Sequence, residues 1–183
     1  MAATLIGSPV AQEDPISSLV RSDRLRARAL AHHDGRLAVE SLELAASVNG
    51  RVFAPGGKLA DIGYAKRHAE AVALAGQDAA LRARIQQLPD VERGAAAGPL
   101  RLASSRPYWQ QPLTFKGGEL AAVYVKASSA SPITLKVEAE GRTQCTARRA
   151  SGRALCRWRP RATGEAIITI SGARGMSFEL FTN

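Results

Sequence analysis

Ile133-Thr134-Leu135-Lys136-Val137-Glu138-Ala139 alternates apolar and polar side chains residue by residue. Successive side chains on a strand point to opposite faces, so this stretch reads as a strand with one apolar face and one wet face. The same period recurs on both sides of it. Ala121, Val123 and Val125 alternate with Ala122, Tyr124 and Lys126. Ala166, Ile168 and Ile170 alternate with Ile167 and Thr169, and Phe178 and Leu180 with Glu179 and Phe181. Turn formers separate the runs: Lys116-Gly117-Gly118, Ser128 to Pro132, Glu140-Gly141, Ser151-Gly152, Gly164 and Gly172 to Gly175. Short alternating strands at that spacing predict an antiparallel sandwich or barrel over residues 107–183.

Upstream the period changes. Asp14-Pro15 pairs an N-cap residue with a proline suited to the first helical position. It predicts a helix through Ile16, Leu19, Val20 and Leu30 that stops at Gly35. Further helices are predicted over Leu37–Val48, Leu59–Ala75 and Asp78–Leu88, the last ending before Pro89. Arg51–Lys58, which contains Pro55-Gly56-Gly57, reads as a loop. Residues 14–93 therefore read as a short array of α-helical hairpins. Gly94-Ala95-Ala96-Ala97-Gly98-Pro99 marks a linker over 94–106. The expected fold class is α+β by segregation, with helices first and a small antiparallel β-sandwich after them.

Charge divides the chain at the same place. Residues 1–99 carry 12 basic and 11 acidic side chains, and residues 100–183 carry 13 and 5. A basic surface attracts polyanions such as acidic polysaccharide, lipid headgroups or nucleic acid; it also simply keeps a protein soluble. No apolar run approaches the ~18 residues that a membrane-spanning helix needs. Ala2 to Ala11 is small and apolar before Gln12-Glu13-Asp14 turns polar. Residues 1–13 thus read as the remnant of a leader with a small-residue cleavage site after Ala11, or as a frayed tail.

Cys145 and Cys156 have ten residues between them. A hairpin that opposes them directly is centred between Ala150 and Ser151, and opposed cysteines ~4.5 Å apart at Cα lie within disulfide reach. Closing so short a loop contributes roughly 2–3 kcal/mol in the chain-entropy model. A disulfide implies an oxidising compartment. The same register sets Arg148 against Arg153, near Arg149, so the tip either opens into a wider loop or holds an anion. Trp158 shares a strand face with Cys156 and is expected to pack on the disulfide as core. Arg157, Arg159 and Arg161 fall on the opposite face and, with Arg142, form a candidate anion- or partner-binding strip or a solvated face.

Phe115-Lys116-Gly117-Gly118-Glu119, the strand 121–125, Cys145, the stretch Cys156-Arg157-Trp158-Arg159-Pro160-Arg161-Ala162-Thr163-Gly164 and the closing Phe178-Glu179-Leu180-Phe181-Thr182-Asn183 together resemble the bacterial pre-peptidase C-terminal domain. The match covers about 70 residues, under half the chain, and the Cys-x-Trp-x-Pro-x-x-x-Gly stretch is its most specific part. The resemblance implies a jelly-roll-like β-sandwich of the kind that follows the catalytic domain of secreted proteases. Such modules help secretion or binding to substrate or surface and are not catalytic. An Asp-rich strand common in that family is here Ser131-Pro132-Ile133-Thr134-Leu135-Lys136-Val137-Glu138. Calcium wants several hard oxygen ligands, and Glu138, Glu140 and Glu165 do not replace an acidic cluster.

The rest of the chain shows no catalytic pattern. His32-His33-Asp34 closes a helix, where adjacent imidazoles point about 100° apart and chelate poorly. His68 and Glu70 lack a hydroxyl or thiol partner at any motif spacing. Gly56-Gly57-Lys58 fails as a phosphate loop, because Val52 occupies the place of the required glycine and Leu59 that of Ser/Thr. The cysteine spacing is not that of a redox pair. No cofactor or metal is expected. The expected function is a non-catalytic periplasmic or secreted accessory module that contacts a protein partner or the cell envelope, without specific nucleic-acid recognition. Polyanion binding through the arginine-rich face, or a fragment of a secreted peptidase, are the alternatives.

Overall fold

The computed structural model of the chain describes residues 14–49, 51–55, 58–89, 100–101, 107–128 and 130–183. The helices are α1 (Pro15–His32), α2 (Gly35–Val48), α3 (Tyr64–Ala75) and α4 (Ala79–Gln86). The short strands β1 (Phe53–Ala54), β2 (Lys58–Leu59) and β3 (Leu100–Arg101) precede the longer β4 (Tyr108–Phe115), β5 (Ala121–Ala127), β6 (Ile133–Ala139) and β7 (Arg142–Arg149). β8 (Arg153–Trp158), β9 (Gly164–Ser171) and β10 (Ser177–Thr182) complete the chain. The fold is α+β, with an antiparallel β-sandwich behind an N-terminal helical layer.

The helix ends follow their capping chemistry. The Asp14 carboxylate accepts from Ser17 N and starts α1, with Pro15 inside the first turn. The stop expected at Gly35 falls earlier. His33 takes the left-handed conformation that ends α1, and Asp34 caps α2 by accepting from Arg36 N and Leu37 N. Gly35 is the first residue of α2 instead. A Cβ there would lie 2.6 Å from the Leu74 carbonyl oxygen, so glycine lets α2 approach the end of α3. The third helix was expected from Leu59 and begins at Tyr64. The intervening residues pair: Phe53 faces Leu59 and Ala54 faces Lys58, and Phe53 also faces Thr182 of β10. A loop and a helix start in the sequence reading are thus a small hairpin added to the sheet.

One sheet runs β2-β1-β10-β5-β8, with β3 also paired to β10; the other runs β4-β9-β6-β7, and every pairing is antiparallel. Their facing surfaces make one core, built on Val123, Val125, Leu135, Val137, Ile168, Ile170, Phe178 and Leu180. The helices cover the outer face of the first sheet and make a second core there. Ile16, Leu19, Val39 and Leu42 pack with Ala122, Tyr124 and Phe181. The first sheet is therefore the middle of three layers. All five residues of Ala121–Val125 are buried, as a strand covered on both faces requires.

The disulfide joins Cys145 to Cys156 with Cα atoms 5.7 Å apart. The hairpin expected around it does not form. β7 pairs with β6, placing Cys145 beside Val137, while β8 pairs with β5, placing Cys156 beside Val123. The bridge ties one sheet to the other at the corner where the chain crosses over. Arg148 consequently faces Thr134 and not Arg153, so the expected opposition of those two arginines does not arise; Arg153 instead faces another cation, Lys126. Residues 1–13 and the glycine-alanine run 94–99 lie outside the described residues; within the expected linker, Leu100–Arg101 forms β3.

Candidate functional site

Two places gather chemistry-bearing side chains: the β7–β8 edge and a cleft between α1 and the middle sheet. At the edge, the two outermost strands lie side by side, joined by the disulfide. Arg142, Arg148, Arg149, Arg153, Arg157, Arg159 and Arg161 are all exposed there. They do not form a single strip. Arg142, Arg148 and Arg149 stand on β7, at the rim of the outer sheet. Arg153 and Arg157 stand on β8 and project to the helical side, flanking the half-buried Leu155 that packs against the helical core. Arg157 is occupied. Its guanidinium donates to Ser17 Oγ and lies 3.7 Å from Asp14 Oδ2, clipping the start of α1 to the sheet. Arg159 donates to the Gly118 carbonyl at 2.6 Å, and Arg142 lies 3.6 Å from Glu140. The Arg161 backbone N–H donates to Glu140. Charged side chains along two edge strands also discourage further strand pairing.

Trp158 is buried in the sheet–sheet core beside Cys156, and its ring meets Phe115 edge-on with centroids 4.7 Å apart. The turn after Phe115 closes over the same region. Gly118 N donates to the Pro160 carbonyl, Gly117 N donates to Thr163 Oγ1, and a Cβ on Gly117 would meet Thr163 N at 2.5 Å. Two of the sequence stretches that carry the family resemblance, 115–119 and 156–164, are therefore one packed unit.

The cleft was not legible in the sequence. Its floor is a row across three strands, Arg153 on β8, Lys126 on β5 and Glu179 on β10, set by the register of the sheet. Its wall is α1, with Asp23, Arg26, Ala27 and Leu30, and the space between is about 690 Å³. Behind the wall lies a buried network. Arg67 of α3 is 3% exposed and Asp23 is 4% exposed. Arg67 Nη2 donates to Asp23 Oδ1, Nη1 to Ser22 Oγ at 3.0 Å and Nε to the Ile62 carbonyl at 3.0 Å. Tyr124 OH donates to Asp23 Oδ2 at 2.9 Å. Ser22 and Ser41 exchange hydrogen bonds to each other's carbonyls, at 2.7 and 2.9 Å. Helices α1, α2 and α3 and strand β5 thus meet at one satisfied polar cluster.

Burial alone would raise the Asp23 carboxyl. The charges of Arg67 and Lys126, with the hydrogen bonds from Arg67 and Tyr124, outweigh burial and hold it below the usual carboxylate range. Burial, reinforced by the Asp23 charge, pushes the Tyr124 phenol far up, so Tyr124 stays a donor. On the rim, Arg26 grips Glu70 with two bonds of 2.6 Å, and this holds the Glu70 carboxyl down. Lys126 Nζ lies 2.6 Å from Glu179 Oε2, a charge contact without hydrogen-bond angles. Among the described residues, no three His, Cys, Asp or Glu side chains gather as metal ligands would.

No family model matches the chain, and no curated protein matches it. Among solved structures, it is similar to Streptomyces albus HEPD with its substrate 2-hydroxyethylphosphonate and Fe(II) bound. The identity is 11% and the TM-score 0.27, over 90% of this chain and 41% of that one. A likeness at that level carries no argument about this chain, which spans under half the length of that structure.

Proposed function

We propose that this chain is a non-catalytic binding module of the bacterial periplasm or cell exterior, related in role to the pre-peptidase C-terminal domains it resembles. The observation that supports this reading most is the disulfide. It ties the two sheets together at the strand crossover, and such a bond persists in oxidising compartments. The packing of Phe115 and Gly117 against Trp158 and Thr163 adds support, because it gives the residues of the resemblance a shared structural reason. No helix among the described residues is long and apolar enough to cross a membrane. The module would act on a partner protein or envelope surface. Retention of the purified full chain on bacterial envelope fractions tests it. Saturable retention on envelope and not on cytosolic protein is expected; equal retention on both would overturn the reading.

Polyanion binding is a second reading, and the geometry redirects it. Arg157 and Arg159 are engaged within the fold, whereas the exposed Arg148 and Arg149 make no ion pair among the described residues. Heparin retention that falls steeply with salt, and falls again when both Arg148 and Arg149 become Ser, would favour it. Elution at low salt, unchanged in that variant, would end it.

A further inference from the structure

The charges around the cleft can be paired off one by one. Asp23 takes Arg67, Glu70 takes Arg26 and Glu179 takes Lys126. Arg153 is left over. It lines the cleft, is exposed, and its side chain makes no ion pair or hydrogen bond among the described residues. Its neighbour across the pairing of β5 and β8 is Lys126, so two cations stand side by side on the floor. Neighbouring strands lie about 4.8 Å apart, so the two side chains rise from adjacent places on the sheet, with Lys126 turned to Glu179. The wall that faces them carries, besides the paired Asp23 and Arg26, an apolar part: Ala27, and Leu30, which is 42% exposed.

Solvated surface arginines are common, but three features distinguish this one. The cleft volume falls within the range of small-molecule sites, ~300–1,000 Å³. The wall is held by the buried Arg67–Asp23–Tyr124 cluster, so the site is rigid on its deep side. The carboxylates that would otherwise neutralise Arg153 are all committed to other cations. An arginine fork bound by one carboxylate or phosphate group is the arrangement that completes the set.

We propose that the cleft between α1 and the outer face of β10, β5 and β8 binds a small ligand through a carboxylate or phosphate group held by Arg153 beside the Lys126–Glu179 pair, with a short apolar part laid against Ala27 and Leu30. The proposal deepens the binding-module reading by naming a site and a ligand chemistry, and it rests on that reading. Its test is separate from that of the compartment, because binding in the cleft is measured on purified protein whatever the cell location.

The probes are inorganic phosphate, hexanoate and hexyl phosphate, titrated into the full chain and followed by backbone amide shifts. Saturable shifts are expected at residues 26–30, 126–128 and 151–153, with an alkyl probe binding at least about tenfold more tightly than inorganic phosphate. Arg153→Gln should weaken binding at least about tenfold while leaving the disulfide and the remaining spectrum intact. Arg148→Gln, on the other sheet, should leave it unchanged. Preference for hexanoate or for hexyl phosphate assigns the head group. If Arg153→Gln binds as the wild type does, or if the shifts follow Arg148 and Arg149 instead, the proposal fails. The same holds if none of the three probes produces saturable shifts.

Discussion

The two cores of this protein are built on different chemistry. The core between the sheets is apolar: aliphatic residues, Trp158 against Phe115, and a disulfide at the corner. The core between the middle sheet and the helices encloses a charge pair, Asp23 with Arg67, and three hydroxyl groups that complete its hydrogen bonds. The first is closed by a covalent bond and answers to redox conditions. The second is closed by charge and answers to pH. A sheet sharing both cores shows how one strand can be wholly apolar on one face and still carry a titratable group on the other. Tyr124 does so between Val123 and Val125.

The largest break in this contrast comes from removing one partner of the buried pair. Asp23→Ala leaves the Arg67 guanidinium buried and uncompensated, and should cost about 3–5 kcal/mol in urea unfolding. Hydrogen exchange should then accelerate in α1 and α3 before β6 and β9. Replacing both Cys145 and Cys156 by Ala should cost about 2–3 kcal/mol, the short-loop entropy. Both tryptophans, Trp109 and Trp158, pack in the sheet–sheet core, so their emission should report that loss. Tyr124→Phe deletes one hydrogen bond to a charged acceptor and should cost about 1.5–3 kcal/mol. The outer pair Arg84–Glu43 is half exposed, and Arg84→Ala should change stability by at most about 1 kcal/mol, readable as a small Tm shift.

The pH response sharpens the same contrast. The folded Asp23 carboxyl titrates below its unfolded value of 3.8, so its contribution is present above that value and lost as pH falls through the lower folded one. Glu70 adds in the same direction. Tyr124 is shifted up from 10.0, so its contribution holds below that value and fades as pH rises past it. Acid unfolding curves should flatten below pH 3.8 in Asp23→Asn relative to wild type, whatever the loss at neutral pH. An unchanged acid limb would place the sensitive group elsewhere.

The sequence revealed these two cores unequally. The strands around Ile133–Ala139 and the cysteine pair were legible because strand period and cysteine spacing are local signals. Which sheet each cysteine belongs to was not, since β7 and β8 each choose a partner outside the 145–156 loop. The hairpin of Phe53–Ala54 and Lys58–Leu59 was missed because two-residue strands have no period to read. The buried cluster joins residues 44 and 101 positions apart, beyond any local pattern. One signal for it was present. Ala122 and Tyr124 sit on the face that alternation assigns to solvent, and apolar residues there imply a cover. Of the seven arginines singled out, the fold separates β7's from β8's, and only Arg153 lines the cleft.

The central claim is that the sandwich is closed by the bridge from Cys145 to Cys156 in the compartment where the protein works. Protein isolated from its native source under alkylating, non-reducing conditions tests it most directly. Recovery of Cys145 and Cys156 in one disulfide-linked peptide pair, without alkylated forms, is the expected result. Quantitative alkylation of both thiols in the native, folded protein would contradict it.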